Sequence, residues 1–160
     1  MKSQKIFSAV ILIGFGLYFF LQHSHIEIFA GFYSWPTLLC ITGLAFLLQA
    51  YKEKEHSSIL PGIVLFGFGL HFHISGLFEL WPGDIAAFML ILALGTILQA
   101  RKLKASMLYG IIFIIIAVVA LFYDRMKTGL PVDASVQEGL EQYWPIILVA
   151  VGAYLFIKKK

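Results

Sequence analysis

Four of the five histidines fall into two His-x-His pairs, His23-x-His25 and His71-x-His73, each close to the end of an apolar run. Zinc takes neutral imidazole nitrogens in a tetrahedral site, so four such rings on one side of a layer could hold it. In a helix, however, residues two apart point to nearly opposite sides, and neither pair converges on a metal unless the backbone unwinds. No metal and no cofactor are therefore expected. His71 keeps its interest on its own, because an ionisable group set below a membrane interface is a functional candidate.

Gln49 and Gln99 are the other polar side chains placed where chemistry could occur. Each closes an apolar run just before a basic one, so it can reach headgroup water or bond across helices. Cys40 is the single cysteine and reads as a small hydrophobe within an apolar run. No Ser-His-Asp set, H-E-x-x-H helix or phosphate loop is present. Gly-Phe-Gly at 67–69 lies inside an apolar stretch with no lysine to hold phosphate, so it reads as packing. An enzyme would need Glu27, Glu79 or Asp84 to converge with the histidines. None is expected.

The elements that carry these residues are membrane helices. The chain is 60% hydrophobic and 13% charged, with a mean hydropathy of +0.88, which excludes an ordinary soluble domain. Six stretches approach the roughly 17–25 residues that cross a bilayer: Ile6–Gln22, Phe32–Ala50, Ile59–Leu77, Ile85–Gln99, Met107–Phe122 and Tyr143–Ile157. Three Trp-Pro pairs, Trp35-Pro36, Trp81-Pro82 and Trp144-Pro145, stand at or near the start of every second stretch. Tryptophan anchors at the membrane–water interface, and proline fits the first turn of a helix, where its missing N–H costs nothing. Asp84, after Trp81-Pro82-Gly83, is expected to cap the fourth helix. The first stretch follows Lys2 and Lys5 like a signal peptide but lacks a prompt small-x-small site, so it is expected to stay as a helix.

Charge placement orients the bundle. With the amino terminus inside, Lys2, Lys5, Lys52, Lys54, Arg101, Lys102, Lys104, Lys158, Lys159 and Lys160 lie inside, against Arg125 and Lys127 outside. That excess of basic residues sets both termini in the cytoplasm. The cations sit at helix ends, where membrane lipids are the expected partner rather than nucleic acid.

The chain also repeats itself. Ile11-Leu12-Ile13-Gly14-Phe15-Gly16-Leu17 recurs as Val64-Leu65-Phe66-Gly67-Phe68-Gly69-Leu70, and Leu47-Leu48-Gln49-Ala50 recurs as Ile97-Leu98-Gln99-Ala100. Gly152 follows Trp144 by the eight residues that separate Gly43 from Trp35, whereas Gly95 lies fourteen after Trp81. Gly14, Gly16, Gly43, Gly67, Gly69, Gly95 and Gly152 are expected to let helix backbones approach closely. The connection from Arg125 to Gln142 is longer and more polar, with Gly129 and Pro131 as breakers. Ser135 and Glu138 have capping-box spacing in it, so a short amphipathic helix on the outer leaflet is expected.

These residues together (Gly14 and Gly16, then Trp35-Pro36 with Leu38, Leu39 and Gly43, repeated by Gly67, Gly69 and Trp81-Pro82, and in part by Trp144-Pro145, Leu148 and Gly152) resemble the LiaI/LiaF-like transmembrane region of bacterial cell-envelope proteins. The resemblance covers nearly the whole chain. It implies a plasma-membrane regulator or anchor linked to envelope stress, with a sensor kinase or envelope-stress component as partner. It brings no catalytic residues. LiaF-like members also carry a soluble carboxy-terminal domain, and this chain runs to Lys158-Lys159-Lys160, so that domain's role is not carried over.

The expectation is thus an all-α polytopic membrane protein. It forms a single membrane domain, 1–160, of six transmembrane helices in three hairpin units (about 1–54, 55–104 and 105–160), with both termini inside. Its expected role is a non-catalytic accessory, regulatory or anchoring component that packs against a partner. A small transporter or lipid-handling protein is the alternative, and it requires His71, Gln49 and Gln99 to face a cavity.

Overall fold

The computed structural model describes residues 5–26, 28–78, 81–129, 146 and 149. The described residues are all-helical, without strands. Five α-helices follow one another: α1 (Lys5–His23), α2 (Trp35–Lys52), α3 (Ile59–Ile74), α4 (Asp84–Leu103) and α5 (Leu108–Gly129). A single 3-10 turn, His56–Ser58, precedes α3. Among the described residues, three segments are long and apolar enough to cross a membrane: Lys5–His23, His56–Ile74 and Asp84–Leu103, with Leu108–Tyr123 as a shorter apolar helix. α2, at 18 residues, is slightly shorter and carries Thr37, Gln49 and Lys52 near its ends, which dilute its apolar character. The stretch Tyr143–Ile157 apart from Ile146 and Val149, the Ser135–Glu138 amphipathic segment, Trp144, Pro145 and Gly152 lie outside the described residues.

Local chemistry sets most boundaries. Ser34, extended at φ −135° and ψ 165°, precedes α2, and Pro36 occupies its first turn. α1 and α4 both stop on a left-handed residue, His25 (φ 54°) and Lys104 (φ 53°). In each case the next amide reaches back five residues, Ile26 to Leu21 O at 3.2 Å and Ala105 to Ala100 O at 2.9 Å. That closure satisfies carbonyls the helix end would leave open, and glycine is its usual occupant. α5 continues past Phe122, because nothing in Tyr123–Thr128 breaks a helix before Gly129.

Two compact units divide the chain, Met1–Leu121 and Phe122–Lys160. Within the first, α1 packs on α2, α2 on α3 and α3 on α4, with α2 against α3 the broadest contact. Gly43 explains how close these two come: a Cβ there would stand 2.7 Å from Phe66 Cα and nearer still to its nitrogen. From the other side, a Cβ on Gly69 would meet Cys40 Sγ at 2.5 Å and Pro36 O at 2.6 Å.

The flanking contacts match each other. Gly14 of α1 receives Ile41 of α2 (Cγ2 2.5 Å from an added Cβ), and Gly67 of α3 receives Ile91 of α4 (2.7 Å). Gly95 receives Leu60 at 2.8 Å. Gly16 differs from the expectation for it: nothing lies within 4 Å of its added Cβ. Two residues along from Gly14 is about 200° around a helix. Gly16 therefore faces away from α2, on an exposed strip with Leu12, Ile13 and Phe20.

Candidate functional site

Polar side chains collect at the two ends of the first unit. At the Trp-Pro end, α3 carries His71 one turn before its close, and the ring is only 1% exposed. Its Nδ1 lies 2.8 Å from Trp81 Nε1, and its Nε2 lies 3.0 Å from Asp84 Oδ1. An indole nitrogen can only donate, so Nδ1 must be the bare, accepting nitrogen. Nε2 then carries the proton and donates it to the Asp84 carboxylate. Phe72 and Phe88 set their rings edge-on to the imidazole, at 5.2 and 5.3 Å. Asp84 itself is 70% exposed, so the pair joins a buried ring to the surface.

Asp84 is not the cap of α4. Gly83 takes that position (φ −57°, ψ 157°), and Asp84 stands in the first turn. Its carboxylate still meets the positive helix end, but its hydrogen bond goes sideways to His71 rather than back to its own backbone.

His73, two residues on, faces α2 instead. Its Nε2 lies 2.9 Å from Thr37 Oγ1. The Thr37 hydroxyl donates its single proton to Phe32 O, so it accepts from His73. The two histidines thus turn to different neighbours, as helical geometry requires. His23 and His25 are exposed, and His25 serves as the left-handed stop of α1. No group of three or more His, Cys, Asp or Glu that could hold a metal occurs among the described residues. Trp35, 57% exposed, opens α2 and rests on Phe72 with ring centres 4.6 Å apart. Trp81 and Pro82 are half-buried in the connection ahead of α4.

At the opposite, basic end, Gln49 is 3% exposed and donates from Nε2 to Glu55 Oε2 at 2.5 Å. Gln99 of α4 donates to Ser57 O at 2.9 Å and to His56 O at 3.4 Å. Both glutamines therefore hold the same connection, the turn between α2 and α3. Glu53 at the end of α2 accepts from the Ile6 amide in the first turn of α1, at 3.5 Å.

His71, Gln49 and Gln99 are thus held at opposite ends and do not meet. Sequence reasoning singled out His71, and Trp81 as an interface anchor, but not their pairing, nor Thr37 as the partner of His73. One signal was readable: an indole, a carboxylate and a histidine all fall near the same end of neighbouring helices. Asp84 does converge with His71, as a catalytic reading would ask. Trp81 closes the remaining nitrogen, however.

The model of the family described as LiaF transmembrane domain matches residues 7–105. The uncharacterized membrane protein YsxD of Bacillus subtilis (strain 168) is 25% identical over 160 residues, covering 100% of this chain and 97% of that protein. No solved structure matches. The matched region runs from the first turn of α1 past the close of α4, and so takes in both polar ends. On that match this membrane protein belongs to the LiaF transmembrane domain family.

Proposed function

We propose that the protein is a non-catalytic accessory, regulatory or anchoring component of a bacterial plasma membrane, acting by helix packing with a membrane partner such as an envelope-stress sensor. Six transmembrane helices in three hairpins place both termini in the cytoplasm, with the basic end inside and the Trp-Pro end outside. Support for the orientation comes from the ten inner basic residues against two outer ones.

The observation that carries the role is how the polar side chains are used. His71 is held between Trp81 and Asp84, His73 is held by Thr37, and Gln49 and Gln99 are bonded to one turn. Those groups serve the fold. The remaining helix surface is broadly apolar, with Gly16 open on it. A partner regulated this way must be contacted differently in its two states, since equal contact shifts nothing.

Reconstitution of the purified chain alone into liposomes tests this against the transport alternative. No solute uptake or lipid transfer above protein-free vesicles is expected. Turnover by the chain alone would overturn the proposal.

A further inference from the structure

The basic end is more than a scatter of cations. Lys52 ends α2 and Lys54 follows it, while Arg101 and Lys102 lie in the last turn of α4 and Lys104 follows it. All five are exposed. The turn that follows Lys54 is the one Gln99 grips through Ser57 O and His56 O, two residues before Arg101. The two basic runs are therefore tied to a common turn at one end of the bundle. Lys54 and Lys104 both leave their helices in the left-handed conformation, at φ 53°.

The hydrogen bonds that the two carboxylates of this end accept come from groups other than these cations. Glu55 accepts from Gln49 and Ser57, and Glu53 accepts from the start of α1 through Oε1 alone, its buried Oε2 having no partner among the described residues. Among the described residues the one ion-pair geometry is His71–Asp84, at the other end. Lys5, Lys52, Lys54, Arg101, Lys102 and Lys104 thus have no carboxylate partner there. Six cations stand beside two acids, none of them in ion-pair contact with either, at the edge of apolar helices.

We infer that this clamped turn is a docking surface for anionic phospholipid, its cations meeting the headgroup phosphates of the inner leaflet. The fit is one of charge and place. Apolar helix flanks hold acyl chains, and basic side chains at their rim hold phosphate. Its assignment to the inner leaflet rests on the orientation proposed above.

The test uses the full chain, purified in detergent and offered equal phosphatidylglycerol and phosphatidylcholine, with retained lipid read by native mass spectrometry. Phosphatidylglycerol should be retained preferentially. The preference should fall about fivefold for each cation removed across Lys54→Gln, Arg101→Gln and Lys102→Gln. It should persist in Lys54→Arg with Arg101→Lys and Lys102→Arg, which keep the charge. Equal retention of the two lipids would overturn the inference, as would neutral variants that behave like the unsubstituted chain. Displacement of lipid by millimolar inorganic phosphate would assign the surface to free phosphate and overturn the lipid reading. Sidedness is read separately, by membrane-impermeant labelling of Ser57→Cys in a Cys40→Ala background. Labelling from outside, with the lipid preference intact, would remove the orientation and leave the site.

Discussion

The indole N–H of Trp81 points at Nδ1 of His71 across 2.8 Å, and that single contact fixes which ring nitrogen carries the proton. It also closes the connection between α3 and α4 onto a buried ring. Asp84 completes the arrangement from the first turn of α4. An imidazole in an apolar stretch is tolerated here because both nitrogens have partners, as buried polar groups require.

Removing the indole donor should therefore loosen this end. Trp81→Phe keeps most of the ring but leaves Nδ1 unpaired, at a cost of about 1–2 kcal/mol. His71→Leu removes both bonds and should cost at least as much. Asp84→Asn, exposed and still able to accept, should cost least. Thermal unfolding followed by circular dichroism in detergent gives the order; an equal loss for all three would contradict the assignment.

Glycines that look alike in the sequence should respond differently. Gly43→Ala drives a methyl into the Phe66 backbone, which cannot move aside as a side chain can, so a loss of about 1–3 kcal/mol or more is expected. Gly16→Ala meets nothing and should be neutral, or stabilising by up to about 1 kcal/mol through helix propensity. The same melting measurement decides it.

The glutamine pair makes a more local claim. Gln49→Leu and Gln99→Leu should each free the turn at 54–58 while leaving helix content unchanged. Hydrogen exchange at those amides should speed up, and exchange across α3 should stay as it was. Each bond is worth on the order of 1 kcal/mol.

Much of this architecture was legible in the residues. Apolar runs placed α1 to α4 and the start of α5 to within a few positions, whereas α5 runs on past Phe122 to Gly129, and small residues at Gly14 and Gly67 marked where Ile41 and Ile91 enter. Boundaries shifted where local rules compete. α4 runs on through Arg101-Lys102 because those residues favour a helix and the left-handed stop comes only at Lys104. Partner choice was harder to read, since it depends on helix rotation. The Gly-Phe-Gly motif looks the same at 14–16 and 67–69, yet Gly69 is packed on α2 while Gly16 has no neighbour. His71 and Asp84 are thirteen residues apart, and only the angle of the connection between them brings them together.

The central claim is partner binding through the helix surface, and crosslinking in native membranes followed by purification and mass spectrometry tests it most directly. The account predicts a stoichiometric membrane-protein partner with the unsubstituted chain. That partner should be lost with Gly16→Leu, on a face where enlargement leaves the chain's own melting unchanged. Recovery of the chain alone, with a defined solute bound, would contradict the account and support transport instead.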